Sequence, residues 1–297
     1  MFKSVDMTFI SNNYWLGDDV PCLTYGMRGC IELSVQVSGP AIDIHAGIDG
    51  GIIREPLHDL IRVLNTLIDS STGKCYVDGF YDAVRPIEDY EMKLYTAISF
   101  DVAAYKKQLG LSKLPFLEET AEDLKERILM DRWREPTISY TGITCSISNA
   151  SIIPKNAAAR VSVRTVPDQD PQIMRTLLIK HIEKAFSDLG TTNKLSVEEK
   201  VNVPWWVGDI QNEYYQQMAQ SLEKHWKTKP ILVREGGTSP NTRYLEETIG
   251  APCFHFPIGQ ASDRAHLPNE RIRLLNLSTS KDVLVDFFTN IALRVDS

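Results

Sequence analysis

Two seven-residue stretches of this chain alternate apolar and polar side chains: IELSVQV (Ile31 to Val37), without a break, and RVSVRTV (Arg160 to Val166). Successive side chains of a strand point to opposite faces, so this period marks strands with one buried face. In the second, Val161, Val163 and Thr165 share one face and Arg160, Ser162 and Arg164 the other. A sheet that is apolar on one face needs a covering layer on that face alone. Two amphipathic runs can supply it. One is Leu57, Leu60, Ile61, Leu64, Leu67 and Ile68, after the glycine-rich GIDGG. The other is Met174, Leu177, Leu178, Ile182, Ala185 and Leu189, with Asp170 as cap, Pro171 at the first position and Gly190 just beyond the end. With a short strand at Thr137 to Tyr140, this region is expected to be α+β, with helices on one face of an antiparallel sheet.

Residues 72–118 have no strong period and predict loops and short helices. Thr120 with Asp123 predicts a capping box for a helix through about Arg132. Past Pro204-Trp205-Trp206, where both rings serve as packing residues, the pattern changes. A helix over about Asn212 to Trp226 precedes a strand in PILVREGG, a helix near Pro240 to Thr248 and a strand in CFHFPIG. A last helix is expected to be capped by Ser280, with Leu284, Phe287, Phe288 and Ile291 on its inner side. Helix alternating with short buried strand is α/β behaviour and predicts a parallel sheet. About two strands are too few for a complete doubly wound sheet, so part of this α/β domain is expected to be absent from the chain.

The net charge of −7 and the lack of a Lys/Arg-dense stretch argue against nucleic acid as partner. No apolar run approaches the ~20 residues that span a bilayer, so no membrane partner is expected. The five cysteines are scattered without a CxxC pair, and the N-terminal stretch is too polar for a secretory signal. Both point to reduced thiols and a cytoplasmic location. HExxH, GxSxG and GxGxxG are all absent from the sequence.

Four stretches carry candidate chemistry, each beside a plainer reading. In ASDRAHLPNE, His266 sits on a polar loop where a metal ligand or a base fits, or where it is simply a surface histidine; one imidazole alone does not hold a catalytic metal. In IDIHAG, small residues around His45 allow a close approach, or merely make a turn. REGGTSP joins strand to helix, so backbone N–H groups near Gly237 and the Thr238 hydroxyl suit an anion, or form a tight turn. Arg164 offers a guanidinium fork suited to a carboxylate, or lies on a solvated sheet face.

Taken in order, SNNYWLG, LTYGMRG, DIHAGIDGG, RWREPTISYTGI, SIIPKNAAARVSVRTVP, REGGTSPNT and DRAHLPNE resemble the carnosinase-like family of co-catalytic metallodipeptidases. The resemblance implies an α/β catalytic domain holding two divalent metals, zinc or manganese, with an α+β two-layer lid that also forms a homodimer. It implies that residues 1–23 end an N-terminal catalytic segment, 24–209 form the lid and 210–297 form the C-terminal catalytic segment. It makes His266 a metal ligand that also meets substrate, and it puts Asn12 where the family has a liganding aspartate. Arg164, Gly237 and Thr238 match groups that hold the substrate's carboxylate. Ser151 falls at a substrate-touching threonine. His45 matches a lid histidine that reaches a neighbour's active site and stabilises the oxyanion. The remaining ligands and the general base are implied to lie upstream of this chain's first residue. The function so implied is hydrolysis of dipeptides such as Cys-Gly by a metal-activated water, with this chain incomplete and inactive alone. The alternative is a non-catalytic dimerisation or regulatory protein derived from such an enzyme.

Overall fold

The computed structural model describes residues 5–118, 120, 122–265 and 267–295. In chain order the first stretch forms β1 (Thr8–Ile10), β2 (Cys22–Met27), β3 (Gly29–Ser38), β4 (Ile44–His45), α1 (Ala46–Asp49) and α2 (Pro56–Leu64). There follow α3 (Asp89–Ala97), α4 (Val102–Leu109), α5 (Leu124–Trp133), β5 (Thr137–Cys145), β6 (Ile152–Ile153), β7 (Asn156–Thr165) and α6 (Pro171–Ser187). The last stretch forms β8 (Lys194–Val203), β9 (Trp206–Val207), α7 (Glu213–Trp226), β10 (Ile231–Glu235), α8 (Pro240–Ile249), β11 (Cys253–His255) and α9 (Leu274–Val295). The chain divides into two compact units. One is Met1–Met27, Ile87–Phe100 and Trp205–Ser297; the other is Arg28–Pro86 and Asp101–Pro204. The sequence reading placed Ile87–Phe100 within the middle domain, whereas here it clusters with the outer segments.

The middle unit is an antiparallel four-stranded sheet in the order β5-β7-β3-β8. Its core is built as the alternation predicts: Ile31, Leu33, Val35 and Val37 of β3 and Val161 and Val163 of β7 are buried, with α2 and α6 packed on that side. Asp170 accepts hydrogen bonds from the N–H groups of Gln172 (2.8 Å) and Ile173 (3.0 Å), so α6 starts where its cap dictates. Gly190, just beyond that helix, takes a φ of 55°, which a side chain resists.

Three local expectations are corrected. The Thr120–Asp123 box does not form: Asp123 makes no side-chain cap, and the Thr120 hydroxyl donates to Glu118 instead. The first amphipathic helix ends at Leu64; Leu67 and Ile68 keep the apolar spacing but enter a turn, with Ile68 bridged to Cys75. The last helix begins at Leu274, so Ser280 is an interior residue rather than a cap. Of its expected inner residues Phe287 is buried, whereas Phe288 is 46% exposed.

The outer unit carries a five-stranded sheet, β1-β11-β2-β10, with β9 also on β2. It is mixed rather than parallel: β1 with β11 and β2 with β10 run parallel, while β11 meets β2 antiparallel. A period of buried residues marks a strand as internal but does not give its direction, which explains the miss. Leu23, Tyr25, Tyr215, Met218, Phe254 and Phe287 form its core.

Candidate functional site

The SNNYWLG loop follows the edge strand β1 and is stitched to the turn after β11. The Trp15 N–H donates to the Gly259 carbonyl (2.9 Å), and its indole N–H donates to the Pro257 carbonyl (2.9 Å). Ala261 N–H donates to the Gly17 carbonyl (3.1 Å), and Ser262 N–H to Asp18 Oδ1 (3.0 Å). Gly259 has no room for a side chain, since a Cβ there would lie 2.6 Å from the Tyr14 ring. The Tyr14 hydroxyl donates to Glu270 Oε1 at 3.2 Å, and burial together with this carboxylate raises the Tyr14 pKa. So the loop bearing Asn12 and the turn preceding His266 are neighbours, although His266 itself lies outside the described residues.

A divalent metal centre takes three or more His, Cys, Asp or Glu ligands. No such group of three comes together among the described residues. Asn12 is exposed, and its amide oxygen accepts the N–H of Asn13 (2.7 Å), which adopts a φ of 77°. A neutral amide already serving its own turn is a poor substitute for an aspartate ligand. The described residues therefore do not by themselves fit a metal centre.

His45 and Ser151 are brought together in the middle unit. β4 pairs with β6 through His45 and Ile152, and the Ala46 N–H donates to the Ser151 carbonyl at 2.8 Å. His45 Nδ1 accepts the Gly47 N–H at 3.1 Å. That bond fixes the tautomer: in the neutral ring the proton sits on Nε2, and the exposed ring presents it as a donor. Asp43 steadies the same segment by accepting from Lys155 N–H (2.9 Å) and the Ser146 hydroxyl (2.6 Å), which also hold its carboxyl below the usual range.

Arg164 stands half-buried on the polar face of β7, opposite Cys30 on β3 and Thr137 on β5. Burial raises the Cys30 thiol against the pull of the Arg164 guanidinium, so the two groups feel each other. In the outer unit, Gly237 N–H donates to Glu235 Oε1 at 3.0 Å, and Pro240 opens α8 two residues beyond Thr238. Gly237 and Thr238 thus occupy the junction of β10 and α8 that the sequence reading foresaw.

Two buried polar residues of the outer unit were not singled out from the sequence. Glu91 of α3 pairs with Arg234 of β10 at 2.7 Å, with 2% and 5% of their side chains exposed, and the guanidinium lies 5.4 Å from the centre of the Tyr25 ring. His255 of β11 is fully buried, bonded to the Thr242 hydroxyl and packed 5.5 Å from Trp206. Burial lowers its pKa from 6.5 to about 4. Between those values the unfolded chain takes up a proton that the native ring refuses. The stabilising contribution is therefore complete above about pH 6.5 and is lost as pH falls toward 4. The outer unit is expected to lose about 2 kcal/mol between pH 8 and pH 5 from this group. Urea midpoints of the native chain and of His255→Gln at both pH values check this. Equal pH dependence in the two proteins would refute it.

Residues 25–189, more than half of the chain, match the family model M20_dimer, the peptidase dimerisation domain. The chain belongs to that family. The Cys-Gly metallodipeptidase of Candida albicans is 38% identical over 278 residues, which is 93% of this chain and 56% of that protein. The Beta-Ala-His dipeptidase of Homo sapiens is 31% identical over 294 residues, 98% of this chain and 57% of that protein. The chain thus spans a little over half the length of these curated relatives. Among solved structures, a di-peptidase of Saccharomyces cerevisiae aligns with a TM-score of 0.88 at 34% identity, over 96% of this chain and 59% of that one. Human carnosine dipeptidase 1 aligns with a TM-score of 0.85 at 31% identity, over the same shares.

Proposed function

We propose that this chain is the dimerising and substrate-binding part of a metal-dependent dipeptidase that cleaves dipeptides such as Cys-Gly in the cytoplasm. The observation that carries this reading is the likeness to dipeptidases along almost the whole chain, in both units. In this reading Arg164 holds the substrate's carboxylate, the Gly237–Thr238 turn offers it donors, and Ser151 touches substrate. His45, its Nε2 proton turned outward, donates to the developing oxyanion from a partner copy in a homodimer. Zinc or manganese would supply Lewis-acid activation of a water when bound. His266 would serve as one ligand and Asn12 at most as a weak one, so further anionic ligands and a base must come from residues other than those described.

The test is a single-chain chimera that places the portion of the Candida albicans relative that this chain does not match ahead of residue 1. Metal-dependent Cys-Gly hydrolysis is the expected result. Within that chimera Arg164→Ala is expected to raise the Michaelis constant about ten- to a hundredfold, since losing a charged hydrogen bond costs about 1.5–3 kcal/mol. An unchanged constant would mark Arg164 as a sheet residue only. A chimera that folds and holds metal without hydrolysing dipeptides would favour a second reading, a non-catalytic dimerisation or regulatory protein. The observation favouring that reading is the missing ligand set around Asn12 among the described residues.

A further inference from the structure

The middle unit holds a cavity of about 460 Å³. Its walls are the turn after β3 at Gly39, residues 51–54 ahead of α2, and Thr192 and Asn193 ahead of β8. All of them belong to the one compact unit. One wall is built on buried polar groups. Asp59 of α2 is 1% exposed and takes two donors on Oδ2, the Thr191 hydroxyl at 2.6 Å and Asn193 Nδ2 at 2.8 Å. Asn193, 9% exposed, also gives Nδ2 to the Arg54 carbonyl at 3.1 Å. Both amide protons are spent on acceptors, which fixes the orientation of the side chain and leaves Oδ1 as its free acceptor. That oxygen accepts no hydrogen bond among the described residues. It stands beside Gly39, where a Cβ would lie 2.6 Å from it and 2.7 Å from Pro56 Cγ. Only glycine keeps that space open.

Arg54 lines the same cavity, and its guanidinium pairs with no carboxylate among the described residues. Beside it on the wall are Ile52 and Ile53, with Ile52 78% exposed. Each of these groups asks for a particular chemistry. A free guanidinium suits a carboxylate. An amide oxygen without a donor suits an N–H, and the Asp59 carboxylate behind Asn193 favours a donor that is positively charged. The isoleucines suit an apolar side chain. A few polar groups converging beside apolar ones in a cavity of this size are the usual make-up of a small-molecule site.

We propose that this cavity binds a small zwitterion with an apolar side chain, an amino acid or a short peptide, holding its carboxylate at Arg54 and its ammonium at Asn193 Oδ1. An acid without an amine leaves Oδ1 unmet, and an amine without an acid leaves Arg54 unmet. The middle unit carries the site by itself. The proposal therefore stands or falls separately from the dipeptidase reading, and no turnover is needed to test it.

The test titrates the nitrogen-15-labelled 297-residue chain with leucine and with Gly-Leu. Concentrations run to about 10 mM, because a ligand of so few atoms is expected to bind at about millimolar strength. The backbone amides of Gly39, Gly51 and Asn193 are expected to shift and to saturate. Binding of leucine alone identifies a free amino acid as the ligand, binding of Gly-Leu alone a peptide, and either upholds the site. Leucinamide lacks the carboxylate and 4-methylpentanoate lacks the amine, so each is expected to bind about tenfold or more weakly. Arg54→Gln should weaken zwitterion binding by about tenfold or more, for the same reason. Arg54 is exposed, so this variant is expected to fold. Lys184→Gln, which removes another cation of the same unit with a 74% exposed side chain, should leave binding unchanged. No saturable shift with either zwitterion would overturn the proposal. So would leucinamide or 4-methylpentanoate binding as tightly as leucine, or binding that Arg54→Gln leaves intact.

Discussion

Assayed alone on Cys-Gly with manganese or zinc, the 297-residue chain is expected to release no product above a metal-only blank. Turning water into a nucleophile at neutral pH depends on an assembled ligand set, and the described residues bring no three His, Cys, Asp or Glu side chains together. Asn12 carries no charge, and its amide oxygen is committed to the Asn13 N–H. A base to accept the water's proton is also required, and dipeptide binding at Arg164 or His45 without a nucleophile gives no turnover. Elemental analysis of the purified chain is expected to find metal well below one ion per chain. Turnover comparable to the Candida albicans relative, with bound metal, would show that the ligands have been misassigned. In the single-chain chimera, Asn12→Asp is expected to raise activity above that of the Asn12 form. Equal rates would show that an amide is tolerated at that position.

The middle unit was the more legible in sequence, and the reason is physical. Its sheet has one well-buried face, so β3 from Ile31 on and most of β7 alternate, and the α6 ends carry their own signals in Asp170, Pro171 and Gly190. The outer unit gave less. Its strands are short and do not alternate in burial, from the wholly buried β2 to the half-buried β1, so neither their direction nor their order leaves a period to read. Ser280 looked like a cap because its hydroxyl precedes an apolar run, yet six helical residues from Leu274 come before it. Among the candidate site residues, the closeness of His45 and Ser151 had no local signal. It arises from a two-residue ladder between β4 and β6, more than a hundred positions apart. The Glu91–Arg234 pair had none either, since an acidic residue in a mixed stretch does not reveal a distant guanidinium.

That pair should be the most costly single point in the outer unit to disturb. Glu91→Ala is expected to destabilise it by about 3–5 kcal/mol, the usual loss when one partner of a buried ion pair is removed and the other charge stays buried. Arg234 cannot relax into solvent, because its side chain is 5% exposed, lies against the Tyr25 ring, and packs over Gly26, where even a Cβ would meet it at 3.2 Å. Glu91 also ties α3, in the segment Ile87–Phe100, to β10, so its loss is expected to loosen α3 before the sheet opens. Tryptophan fluorescence in urea is suited to the measurement. Trp15, Trp205, Trp206 and Trp226 belong to the outer unit and only Trp133 to the middle one. Replacing both charges, Glu91→Leu with Arg234→Met, should recover most of the loss, because apolar side chains of similar volume avoid burying an unpaired charge. If Glu91→Ala shifts the midpoint no more than an exposed pair such as Lys184–Asp188 would, worth at most about 1 kcal/mol, then the buried pair does not hold α3 in place.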